Sequence, residues 1–125
     1  MNAADKEIVF TSGATESDNL AIFGVARAYR AKGNHVVTGK TEHHAVMDAC
    51  QALEKEGFRV TWLDPDRTGR IPAGAVRAAL TDETVLVTLM LANNEIGTLH
   101  PVAEIGAVCR DRGVLFHTDA VQGFG

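Results

Sequence analysis

The residues able to do chemistry fall into four polar clusters: Gly13 to Asn19, Thr41 to His44, Asn93 to Gly97 and Thr118 to Gln122. In the first, Ser12-Gly13-Ala14-Thr15 stands between an apolar run and a segment of helical spacing. Free backbone N–H groups and the positive end of a helix favour a phosphate there, and small side chains let it approach. Thr15 and Asp18 also match the [ST]-x-x-[DE] spacing of a helix cap, so a purely structural Thr15 stays open. Neither GxxxxGK[ST] nor GxGxxG occurs. His43 and His44 follow Lys40-Thr41-Glu42, where an imidazole can stack on a planar ligand or shuttle a proton. Neighbours on a helix start point in different directions, so one at most enters a site, and a solvated histidine is the alternative. HExxH spacing is missing, which argues against zinc.

Asp119 and Gln122, three apart, can face one ligand if their turn is helical. A carboxylate at the end of a hydrophobic strand suits a protonated ring nitrogen, since a poorly solvated site strengthens the pair. An Asp helix cap is the structural alternative. Asn94 and Glu95 can orient a polar substrate or simply make a turn. Cys50 and Cys109 lie on apolar helix faces and read as core. Lys6, Lys32, Lys40 and Lys55 read as solvated, and Lys40 alone, beside a candidate site, invites a Schiff-base role.

These clusters need a scaffold that brings them together. Short apolar runs alternate with helical periodicity, the pattern of a parallel α/β sheet. Ile8 to Thr11 is a first strand. Ile22, Val25, Ala26 and Tyr29 repeat at i, i+3, i+4, i+7 on a helix that Gly33 ends. His35 to Thr38 is a second strand, followed by a helix through Val46, Ala49, Cys50 and Leu53 up to Gly57. Phe58 to Leu63 is a third strand. Pro72 takes the first position of a short helix through Leu80. Thr84 to Leu91 has no polar alternation and reads as a central strand covered on both faces. Pro101 opens a last helix with Val102, Ile105 and Cys109 inward, and Val114 to Phe116 is a final strand running into His117-Thr118-Asp119. The four polar clusters then lie where strands end, and ligands of open α/β sheets bind outside the carboxyl ends of strands.

Composition narrows the class. The chain has 125 residues, enough for one domain or part of one. It is 46% hydrophobic and 22% charged, which excludes disorder as a description of the whole. A net charge of −4 with no basic run gives no footprint of a nucleic-acid binder. The longest near-continuous apolar run, Val85 to Ala92, is far below the ~20 residues of a membrane helix. Met1 to Glu7 lacks the regions of a secretory signal, so a cytoplasmic setting is expected. Two cysteines form no disulfide framework or zinc spacing. The chain stops shortly after a strand, which points to truncation, and an unpaired sheet edge would favour association.

Taken in order, Thr11-Ser-Gly-Ala-Thr-Glu-Ser-Asp-Asn-Leu20, Thr41-Glu-His43, Asn93-Asn-Glu-Ile-Gly97 and His117-Thr-Asp-Ala-Val-Gln122 resemble the cysteine desulfurases, in the class V aminotransferase group of pyridoxal-phosphate enzymes. The resemblance runs over nearly the whole chain. It implies an α/β, three-layer, mostly parallel sheet, part of a fold-type I large domain, with residues 1–125 a partial cofactor-binding domain. The family's opening segment, its Schiff-base lysine in a Ser-x-His-Lys motif, its persulfide-forming cysteine and its small C-terminal domain are not matched here. Carried over by resemblance, Thr15 and the backbone around Ala14 hold the phosphate of pyridoxal 5′-phosphate, and His43 stacks on the ring and assists proton transfer. Asp119 pairs with the ring nitrogen, Gln122 bonds the ring hydroxyl, and Asn94 lies near that hydroxyl and the substrate carboxylate.

The implied reaction removes sulfur from L-cysteine, giving L-alanine and an enzyme persulfide for iron–sulfur cluster assembly and transfer-RNA thiolation. The implied partners are L-cysteine, a second copy of the intact enzyme, and iron–sulfur scaffold or other sulfur-acceptor proteins, with no nucleic acid, membrane or metal. Without the lysine and the cysteine, residues 1–125 alone are expected to be inactive. The competing readings are another class V enzyme, selenocysteine lyase-like or kynureninase-like, and a non-catalytic truncated scaffold.

Overall fold

The computed structural model describes residues 8–11, 15–40, 42, 44–67, 70–89 and 102–119, of which 8–11, 15–20, 102 and 119 are described by their backbone alone. The elements alternate as β1 (Ile8–Thr11), α1 (Thr15–Ala28), β2 (His35–Gly39), α2 (His44–Lys55), β3 (Arg59–Leu63), α3 (Ala73–Ala79), β4 (Thr84–Thr88), α4 (Val102–Asp111) and β5 (Leu115–Asp119). All pairings are parallel, in the order β1-β5-β4-β2-β3. The expected three-layer α/β architecture is present, and among the described residues the sheet is wholly rather than mostly parallel.

Side-chain alternation along the strands builds two cores, one on each face. Val36, Val85 and Leu86 pack with Ile22 and Ala26 of α1 and with Val46, Ala49, Cys50 and Leu53 of α2. Val37, Val87 and Phe116 pack on the other face with Val76 of α3 and with Ile105, Val108 and Cys109 of α4. The strands β2 and β4 are buried along their whole length, their polar residues His35, Thr38, Thr84 and Thr88 included. One irregularity marks β4: His35 pairs with Thr84, but Val36 pairs with Leu86. The extra residue is Val85, and it joins Leu86 in the same core because a bulge breaks the alternation at that point.

Several expectations are corrected. Helix α1 ends at Ala28, and Tyr29, expected inward, is 44% exposed. The Arg30 amide donates to the Arg27 carbonyl, three residues back rather than four, at 3.4 Å, so the α-helical ladder is lost there. Gly33 does not end the helix through a left-handed cap, since the described glycines with positive φ are Gly57 and Gly113. Its lack of a side chain serves a close approach instead: a Cβ would lie 2.2 Å from the Glu83 carbonyl oxygen. Gly57, at φ 99°, takes the left-handed turn after α2 as anticipated. Pro72 is the cap before α3 rather than its first residue, with extended ψ of 153°. Strand β4 ends at Thr88 and β5 extends to Asp119. Residues 90 and 91 lie outside the described residues.

Candidate functional site at the carboxyl edge of the sheet

Because every strand runs the same way, all the strand-to-helix connections leave from one edge. At the middle of that edge β2 and β4 are neighbours, yet β2 leads outward to α2 and β3 whereas β4 leads to α4 and β5 on the other side. Helices α2 and α4 lie on opposite faces. This divergence is the topological switch point at which open α/β sheets form a ligand crevice.

Thr15 is the first residue of α1, directly after the β1 turn. Asp119 is the last residue of β5 and pairs in register with Thr11 at the end of β1. The fold therefore brings the start of α1 and the end of β5 to adjacent strand ends, although Thr15 and Asp119 are more than a hundred residues apart. His44 opens α2 and is exposed, beside the buried Glu42. Ala14, His43, Asn94 and Gln122 lie outside the described residues.

Lys40 does not face this arrangement. Its Nζ forms a 2.7 Å ion pair with Asp64 Oδ1, and both side chains are more than half exposed. The cysteines are core residues as expected: burial pushes the thiols of Cys50 and Cys109 up to about 12, so neither is a nucleophile at neutral pH. For Cys50 the charge of Glu42 pushes in the same direction and a hydrogen bond with Thr38 opposes it. Among the described residues, no group of three or more His, Cys, Asp or Glu side chains could hold a metal ion. Among them, too, no helix is long and apolar enough to cross a membrane.

Directly beneath the edge lies a polar layer that the sequence reading did not single out. Thr38, Thr88 and His117 occupy paired positions on β2, β4 and β5, each 0–1% exposed. Thr38 Oγ1 donates to the Thr88 carbonyl at 2.9 Å, and Thr88 Oγ1 lies 2.7 Å from His117 Nδ1. The Leu89 amide donates to the His117 carbonyl at 3.0 Å, carrying the β4–β5 contact one residue past the strand. Thr118, the next residue of β5, has a buried hydroxyl without a partner among the described residues. The available signal was a threonine directly after a short apolar run in each of two strands, Val36-Val37-Thr38 and Leu86-Val87-Thr88.

A parallel sheet with helices on both faces and polar strand ends meeting at a switch point defines an α/β ligand-binding domain. The model of the aminotransferase class-V family matches residues 1–125, and the chain belongs to that family. A protein named cysteine desulfurase IscS from Anaeromyxobacter sp. (strain K) is 58% identical over all 125 residues, which cover 31% of that protein. The chain thus spans about a third of the length of the curated relatives it matches. Among solved structures, one titled SspA in complex with cysteine superposes with a TM-score of 0.85 at 43% identity, over 91% of this chain and 33% of that one. DndA from Streptomyces lividans superposes with a TM-score of 0.86 at 41% identity, over 98% of this chain and 35% of that one.

Proposed function

We propose that the protein is a pyridoxal-phosphate-dependent cysteine desulfurase, and that residues 1–125 form part of its cofactor-binding domain. The observation that carries this reading is the in-register pairing of Thr11 with Asp119, which sets the start of α1 and the end of β5 side by side. One supplies free N–H groups for a phosphate, and the other a carboxylate for a cationic ring nitrogen. That donor set fits pyridoxal phosphate. The likeness to cysteine desulfurases and to a structure holding cysteine supports the substrate.

Bound pyridoxal phosphate supplies an electron sink for negative charge developing at the substrate α-carbon. In this reading, Thr15 and the backbone around Ala14 bind the phosphate. Asp119 keeps the ring nitrogen protonated, and Gln122 holds the ring hydroxyl. His43 would contact the cofactor ring and move a proton. Asn94 orients the substrate carboxylate. Lys40, committed to Asp64, and the buried thiols of Cys50 and Cys109 take no covalent part. The covalent lysine and the sulfur-accepting cysteine then come from outside these residues. The working enzyme is a cytoplasmic homodimer that passes sulfur to a scaffold or other acceptor protein.

The test is turnover of L-cysteine by the full-length protein loaded with pyridoxal phosphate. The expected result is stoichiometric alanine and transferable sulfur, with Asp119→Ala slower by roughly 100-fold or more. A loaded protein that leaves L-cysteine intact but acts on selenocysteine or kynurenine overturns the assignment in favour of another class V activity.

A further inference from the structure

We infer that the buried row Thr38–Thr88–His117 is a positioning device for the ligand site, acting through hydrogen bonds that lock the end of β5 against the switch point. This inference rests on the cofactor reading above and assigns residues to which that reading gives no role.

The row combines three features. It is fully buried, with Thr38 and Thr88 at 0% and His117 at 1% exposure, so it has no solvation role. It crosses the sheet at one level: Thr38 pairs with Thr88, and Thr88 with His117. And it occupies the last paired layer of β2 and β4 before the chain diverges toward α2 and α4. A hydroxyl in such a place costs stability compared with a valine unless its bonds are made, and here both threonines make theirs.

The mechanical consequence falls on β5. His117 is tied to β4 twice, by its ring through Thr88 Oγ1 and by its carbonyl through the Leu89 amide. Asp119 follows two residues later in the same strand. Beyond residue 117 the described pairing of β5 is to β1 alone, through Thr118 with Phe10 and Asp119 with Thr11. Among the described residues, the ring of His117 is thus a side-chain anchor between the central strands and the strand end that carries Asp119. Losing it frees that end to tilt about the β1 pairing. A valine at position 88 has the volume of threonine but leaves the His117 Nδ1 without this partner.

The experiment uses the full-length protein stripped of cofactor and titrated with pyridoxal 5′-phosphate. It measures the dissociation constant, the pH profile of the bound cofactor's absorption band, and the thermal midpoint without cofactor. Thr88→Val and His117→Leu are each expected to weaken binding about tenfold, the size of one buried hydrogen bond, and to move the pH profile. Thr88→Ser restores the hydroxyl, and His117→Asn places an amide where Nδ1 lies. Both are expected to return to near the wild-type affinity and profile.

A lower thermal midpoint with unchanged affinity and pH profile in Thr88→Val and His117→Leu overturns the proposal, because the row then supports only the fold. Equal losses in Thr88→Ser and Thr88→Val overturn it too, since shape rather than the hydrogen bond would matter. Wild-type protein that binds no pyridoxal phosphate at all overturns the cofactor reading, and this proposal with it. That failure is recognised in the wild type before any variant is compared.

Discussion

The sheet holds a buried histidine bonded to threonine at each edge, and the two serve opposite ends of the molecule's needs. At the amino edge His35 of β2 has Nδ1 2.6 Å from Thr84 Oγ1 of β4 and Nε2 2.7 Å from Thr61 Oγ1 of β3. At the carboxyl edge His117 of β5 meets Thr88, at the other end of the same β4. The surroundings differ. The amino-edge connections, residues 29–34, 56–58, 80–83 and 112–114, are short and knitted by backbone bonds. These include His35 N to Glu83 O at 3.0 Å, Arg59 N to Asn34 O at 2.8 Å and Val114 N to Cys109 O at 2.8 Å. Lys32 Nζ caps the Gly113 carbonyl at 2.6 Å. At the carboxyl edge the chain is less tightly returned: β3 ends at Leu63 and α3 begins only at Ala73, and β4 ends at Thr88 while α4 begins only at Val102. One chemical motif thus closes the fold at one edge and underlies the proposed ligand site at the other, and what separates them is the direction in which the chain leaves.

Steric closure at the amino edge gives the largest effect. Gly33→Ala puts a Cβ 2.2 Å from the Glu83 carbonyl, a backbone atom that also accepts from His35 N. A loss of about 1–3 kcal/mol in denaturant unfolding is expected, whereas Gly24→Ala, with nothing within 4 Å, is expected to stabilise or be neutral. Equal outcomes at the two glycines would remove the tightness claimed for that edge.

Thr84→Val comes next. It leaves a buried His35 nitrogen without its partner and is expected to cost about 1–2 kcal/mol without changing ligand affinity. Isothermal titration with pyridoxal phosphate beside a denaturation curve separates it from Thr88→Val. If Thr84→Val weakened binding as much as Thr88→Val, the two edges would not be functionally distinct.

The pH response is smaller. Burial, aided by the Arg59 charge and opposed by Glu83, lowers the pKa of His35 from its ordinary value. The unfolded chain then takes up the proton first, so this group's contribution to stability is complete above about pH 6.5 and is lost as pH falls below it. His35→Asn should flatten that part of the stability profile between pH 7 and 5. An unchanged slope in the variant would show that His35 carries none of it.

The smallest effect belongs to the surface. Arg27 of α1 and Glu56 of the turn after α2 form a 2.7 Å ion pair, which raises the Arg27 pKa and lowers that of Glu56, chiefly through their hydrogen bond. Both groups meet solvent, so Arg27→Ala should shift the thermal midpoint no more than an unrelated surface substitution, and less still in high salt.

Local pattern made much of this legible. The strand runs His35 to Thr38 and Phe58 to Leu63 and the helix spacing of Val46 to Leu53 each report a neighbourhood of a few residues, and each element forms close to where it was expected. Periodicity overreached at Tyr29, because a helix end depends on where its carbonyls find donors. Gly33 was assigned to the correct turn for the wrong reason: a sequence shows that a side chain is missing but not what would collide with it.

The candidate site was legible as four polar clusters at strand ends, but not as particular neighbours. Order along the chain placed Thr15 and Asp119 after a strand each, while the β1–β5 pairing that sets them side by side depends on strand order, which is non-local. The polar row was harder still, since a threonine ending an apolar strand looks the same whether it meets solvent, backbone or histidine. The residues by themselves determined the alternation of strands and helices, the two-sided burial of β4 and the chemical types available at the strand ends. Only the tertiary structure decided that β4 lies between β2 and β5, and with it that Thr88 joins Thr38 to His117, because a strand's neighbours are chosen by the packing of the whole sheet.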